Sequence, residues 1–109
     1  MRITTNQAKL ATIVAQRVYD NTMDIKTARA ILRLDGVNKS SAKILIDQYI
    51  GLKDGTTVTT DMSLNTCYVF INYMGYERAR RGLLMHIDHK EHYAKNTHSM
   101  KKFRLLLED

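Results

Sequence analysis

Residues 24–50 read DIKTARAILRLDGVNKSSAKILIDQYI, and the fold turns on this stretch: helix, tight turn, helix. Ile25, Ala28, Ile31 and Leu32 recur at helical spacing, which gives the first segment one apolar face. Asp35-Gly36 stops it, because a glycine just past the last turn takes a left-handed backbone at no steric cost. Asn38, Ser40 or Ser41 can cap the next helix, whose inward positions are Ala42, Leu45, Ile46 and Tyr49. Its exposed first turn then carries Asn38, Lys39, Ser40, Ser41 and Lys43. Small polar and basic side chains suit a helix whose N-terminal end enters a DNA major groove. The spacing of Gly36, Val37, Ala42 and Leu45 fits a helix-turn-helix, although the position before the glycine is usually apolar and here is Asp35. A plain helical hairpin inside a bundle gives nearly the same pattern.

Working outward, Thr4-Thr5-Asn6-Gln7 has capping-box spacing, and Leu10, Ile13, Val14 and Val18 line one face of a first helix ending near Asn21. Thr22 or Asp24 caps the helix that follows. Residues 51–60 (GLKDGTTVTT) are the chief irregular segment, with a turn at Lys53-Asp54-Gly55 and threonines that favour a short strand-like stretch. Asp61 or Ser63 opens a helix through Met74 that is apolar almost all round, the pattern of a buried central helix. Gly75 ends it. From Tyr76 to about Lys95 a long amphipathic helix turns Ala79, Leu83, Ile87 and Ala94 inward, with Gly82 as a cost to helicity. Asn96-Thr97 breaks and recaps the chain, and Met100, Phe103 and Leu107 mark a last helix. The expectation is one domain over residues 1–109: all-α, a compact bundle of about six helices containing a helix-turn-helix-like hairpin.

Composition agrees. With 44% hydrophobic residues, no proline and five glycines, the chain can fold without staples and favours helices. A length of 109 residues buries roughly two-thirds of the unfolded surface. The single cysteine, Cys67, allows no intrachain disulfide and suits a reducing cytosol. The opening MRITTNQAKL is too polar for a signal peptide, and no apolar run reaches the roughly 18 residues of a membrane span. A cytoplasmic location without membrane contact is expected.

A net charge of +6 draws the domain toward polyanions, of which nucleic acid is the commonest in a cell. The second basic group opens with Arg78, Arg80 and Arg81 and continues through Lys90, Lys95, Lys101, Lys102 and Arg104. Only Asp88 and Glu91 oppose these eight residues, and Tyr76 and Tyr93 add donors able to reach phosphate. A solubilising face would look the same residue by residue.

No catalytic set is legible. His86, His89 and His92 stand three apart, so neighbours could share a zinc ion with Asp88 or Glu91, but no cysteine or HExxH arrangement reinforces them. A solvated face or hydrogen bonding to phosphate suits these histidines better. Cys67 sits in the most apolar helix, where a thiol behaves as a small hydrophobe. There is no glycine-rich phosphate loop and no carboxylate pair spaced for acid–base work, so neither a cofactor nor an enzyme is expected.

The order of motifs is similar to a helical domain at the N-terminus of HNH-type restriction endonucleases, those acting on 5-methylcytosine DNA. Gly36-Val37-Asn38-Lys39-Ser40-Ser41-Ala42 matches that family's Gly-Met/Val-Asn-x-x-Ser-Ala stretch. Tyr68 to Gly75 matches its aromatic helix, and His89-Lys90-Glu91-His92-Tyr93 its x-His-x-x-Tyr. Thr59-Thr60 stands where the family tends to carry a Lys-Arg pair, and no HNH or other ββα-metal motif is present. The resemblance implies a non-catalytic accessory domain that binds double-stranded DNA or positions a nuclease domain. A protein-interaction module, whether a homodimer, a docking domain or a phage-encoded inhibitor, is the alternative suggested by Met74, Met85, Met100 and Leu105 to Leu107. The DNA reading expects the Lys39/Lys43 end and the Arg78 cluster to lie side by side.

Overall fold

The computed structural model describes residues 2–93, 95 and 97–108. Among them six α-helices follow one another: α1 (Thr5–Tyr19), α2 (Ile25–Leu34), α3 (Lys39–Asp54), α4 (Leu64–Met74), α5 (Tyr76–His92) and α6 (Thr97–Leu105), closed by a 3₁₀ turn at Leu106–Glu108. No strand occurs among the described residues, so the all-α bundle read from the sequence is the fold found.

The helix starts follow local chemistry. Thr4 and Gln7 form the reciprocal capping box, with Gln7 N–H donating to Thr4 Oγ1 at 3.1 Å and Thr4 N–H to Gln7 Oε1 at 3.0 Å. Asp24 accepts from Thr27 N–H at 2.7 Å, Asn38 from Ser41 N–H at 2.8 Å and Ser63 from Thr66 N–H at 3.1 Å. Each satisfies an orphan donor of the first turn. At its other end α2 closes in a Schellman motif: Gly36 has φ +91°, and Val37 N–H donates to the Leu32 carbonyl at 3.1 Å. Leu32 and Val37 are both buried, which adds the apolar contact that accompanies this ending.

Four sequence expectations are corrected. α3 does not stop at Ile50; it runs through Gly51 to Asp54, and residues 56–60 form no strand. The central helix is α3, which packs against α1, α2 and α5, whereas α4 lies against α1 and α5 and leaves Tyr68 and Tyr73 half-exposed. The fully buried face of α1 is Ala8, Ala11, Thr12, Val14 and Ala15; Leu10 and Val18 pack against the core only partly buried, and Ile13 is turned outward. Alanines let α1 approach its neighbours closely, so the small side chains won the interior from larger ones. Ala94 and Asn96, assigned to the inner face and the break before α6, lie outside the described residues.

Gly82 is not merely a cost to α5. A methyl group there would lie 2.5 Å from the Leu52 carbonyl oxygen and 2.6 Å from Leu52 Cα. The backbones of α3 and α5 touch at this point, and backbone cannot swing aside as a flexible side chain does. Gly82→Ala should therefore lower stability by about 1–3 kcal/mol from overpacking, although alanine is the better helix former by about 1 kcal/mol. Urea unfolding checks the sign; a more stable variant would contradict the crossing.

Candidate nucleic-acid interface

The turn Asp35–Asn38 is anchored from both sides. Val37 is buried beneath it, and Gln7 of α1 donates its side-chain amide to the Asp35 carbonyl at 3.1 Å. The first turn of α3 is thereby held outward. Asn38, Lys39, Ser40 and Lys43 line a shallow hollow of about 440 Å³, together with Arg29 of α2. Ser40 Oγ donates to Asn38 Oδ1 at 3.1 Å, and Lys43 pairs with Asp47 at 3.0 Å on the open surface. An exposed i,i+4 pair of that kind is worth little and releases its lysine readily.

Arg29 was missed in the sequence reading. The signal was present: Lys26, Arg29 and Arg33 stand at i, i+3 and i+7, one basic flank of α2. Ser41 does not join them. It lies about 160° round α3 from Lys43 and lines a different cleft, of about 1020 Å³, with Arg2, Gln48 and Asp61.

The Arg78 group is built on a tyrosine. Arg78 donates to Tyr19 Oη at 2.7 Å and lies 6.0 Å from that ring, while Lys53 Nζ stands 5.1 Å from the same ring. Lys53 also donates to Gln16 Oε1 at 2.7 Å, sharing that acceptor with the Tyr49 hydroxyl at 2.5 Å. Burial, followed by Tyr73 and Asp20, pushes the Tyr49 phenol up to about 12, so it remains a donor. Arg81 lays its aliphatic stem against Gly55. Arg80 points to the opposite edge of α5, about 160° from Arg78.

The two basic regions are not side by side. Lys43 and Lys53 are separated along α3 by about 15 Å, with Asp47 between them. They do share a flank, since Lys39, Lys43 and Lys53 fall within about 80° of the helix circumference. Lys101 and Lys102 are exposed on α6, which packs on α5, and the fold does not bring them to the hairpin. Lys90 leaves the basic set entirely: it is buried and donates to Asp61 Oδ1 at 2.7 Å, which holds the Asp61 carboxyl below its usual range. Arg104 is engaged by both carboxylate oxygens of Glu91.

The three histidines also part company. His86 is fully buried, its Nδ1 2.7 Å from the Val58 carbonyl and its ring 5.7 Å from that of Phe103. His89 stacks on Tyr93, and His92 pairs with Asp88 at 2.9 Å. Among the described residues no three His, Cys, Asp or Glu side chains converge on a metal position. Cys67 is buried, and burial raises its thiol to about 12, the inert state expected of a core residue.

No family model, no curated protein and no solved structure matches this chain.

His86 generates a pH dependence. The Val58 carbonyl requires a proton on Nδ1, which leaves Nε2 a buried acceptor without a hydrogen bond. Burial disfavours the imidazolium and lowers the folded-state value below the ordinary 6.5. The unfolded chain thus binds the proton more readily, so stability is full above pH 6.5 and is lost as pH falls through it. The urea midpoint of the native chain should drop between about pH 7 and 5. His86→Asn, which keeps a donor for Val58, should show a flatter profile, and equal slopes would contradict the assignment.

Proposed function

We propose that this chain is a non-catalytic DNA-binding domain that presents the first turn of α3 to the duplex. The carrying observation is the four-residue turn Asp35–Asn38, which holds Lys39, Ser40 and Lys43 outward beside Arg29, with no acidic residue in the first turn of α3. Lys39, Lys43 and Arg29 contact phosphates, and Asn38 and Ser40 lie nearest the base edges. Lys53, farther along the same flank of α3, and Arg78 and Arg81 of the neighbouring α5 extend the phosphate track. Likeness to the accessory domain of HNH restriction endonucleases supports the same role, either beside a nuclease domain or in a stand-alone relative. Its place of action is the cytoplasm; no described helix is long and apolar enough to cross a membrane.

Fluorescence anisotropy with a duplex of about 20 base pairs should give a dissociation constant below about 0.1 mM at low salt. The log affinity should fall linearly with log salt, by about 0.9 per neutralised phosphate. Replacing Arg29, Lys39 and Lys43 together by glutamine should reduce that slope by about one per residue replaced. No binding, or an unchanged slope, would contradict the reading.

A further inference from the structure

Among the described elements α4 alone carries no charged residue, yet it is not enclosed. Tyr68 and Tyr73 are 50% and 51% exposed. Facing them, α1 turns out Ile13, 43% exposed, between Lys9 and Arg17 at four-residue spacing. The two helices run alongside each other. Asn65 donates to Thr5 Oγ1 at 3.0 Å where both begin, and near their far ends the Tyr73 ring lies 6.2 Å from Tyr49, which is bonded to Gln16. Between them lies a groove of about 560 Å³ floored by Thr12 and Val69. Tyr68 and Asn72 form its outer ridge, and beyond that ridge a second hollow of about 210 Å³ reaches Tyr76 and Leu106.

We propose that the α1/α4 groove docks an acidic amphipathic helix of another protein. Three features select this occupant. The lining is largely apolar with Lys9 its one charged residue, whereas a single-stranded nucleic acid needs cations along its whole track. The charges around the groove are mostly positive: Lys9 and Arg17 along the α1 rim, Lys53 and Arg78 around Tyr19 at the far end. Asp20, just past α1, is engaged by the Gln16 amide at 3.1 Å. A second copy of this chain would bring its own +6 charge against that rim. Half-exposed tyrosines supply large contact area with little rotamer freedom to lose.

The partner helix lays apolar residues at i, i+3, i+4 and i+7 between Ile13 and Tyr68 and turns carboxylates toward Lys9 and Arg17. The groove shares no residue with Arg29, Lys39 or Lys43, so failure of DNA binding and failure of docking are separate results.

The probe is a peptide of about 18 residues with leucine at those four spacings and glutamate elsewhere. It is compared with a lysine-for-glutamate version and with single-stranded oligothymidylate. In a ¹⁵N-labelled titration the glutamate peptide should bind in the micromolar range, with amide shifts confined to residues 9–17 and 65–73. Tyr68→Ala, and separately Lys9→Glu with Arg17→Glu, should each weaken it by about tenfold or more while the rest of the spectrum stays superimposable. Ile13→Ala serves as a second anchor variant should Tyr68→Ala disturb the fold. The proposal is overturned by no binding at about 1 mM or by shifts elsewhere. It is equally overturned by the lysine peptide or oligothymidylate occupying the groove as well as the glutamate peptide, or by concentration-dependent self-association through these residues.

Discussion

At Gly82 the α5 backbone lies directly on the α-carbon and carbonyl of Leu52, leaving α3 no freedom to slide along α5. This contact fixes the C-terminal half of α3, and the Schellman turn at Gly36 fixes where its other end begins. Between those points Leu45, Ile46, Tyr49 and Leu52 are buried against the surrounding helices. A helix held so firmly along its length can expose its first turn without fraying. The basic end of α3 is thus a consequence of how the core is locked.

The charges divide according to how much water they retain. Lys90 and His86 belong to the interior, one paired with Asp61 and the other neutral against Val58. Glu91 neutralises Arg104 at the α5–α6 contact. Of the cations left facing solvent, one group lines the α2–α3 flank and another surrounds Tyr19, two regions joined by α3 itself, while others stand apart on α1, α5 and α6. Only on the α2–α3 flank do such cations stand beside the anchored turn, which would give the attraction of a polyanion an orientation there.

Local signals in the sequence were read with success where the chemistry itself is local. Thr4, Asp24, Asn38 and Ser63 cap helices because their side chains reach amides three residues on, and the stops at Gly36 and Gly75 follow from the backbone each must adopt. Tertiary packing decided the rest. Gly51 reads as a helix end but lies inside α3, where a methyl group would meet Val58 Cγ2 at 2.9 Å. Ile13 outranks the alanines of α1 in hydrophobicity, yet close approach to α3 and α4 required the alanines. The basic flank of α2 that holds Arg29 is readable from spacing, but its place beside Lys39 and Lys43 emerges only once α2 and α3 are set side by side, and nothing in the order of residues distinguishes the buried Lys90 from the exposed Lys101.

The central claim is that the anchored α2–α3 turn, rather than basic charge in general, meets DNA. Mapping backbone amide shifts of the ¹⁵N-labelled chain on adding a duplex tests it most directly. The account predicts perturbations concentrated over residues 29–43, weaker effects around Lys53 and Arg78, and none on α6. Shifts centred on Lys101 and Lys102, or scattered evenly over every lysine, would contradict it.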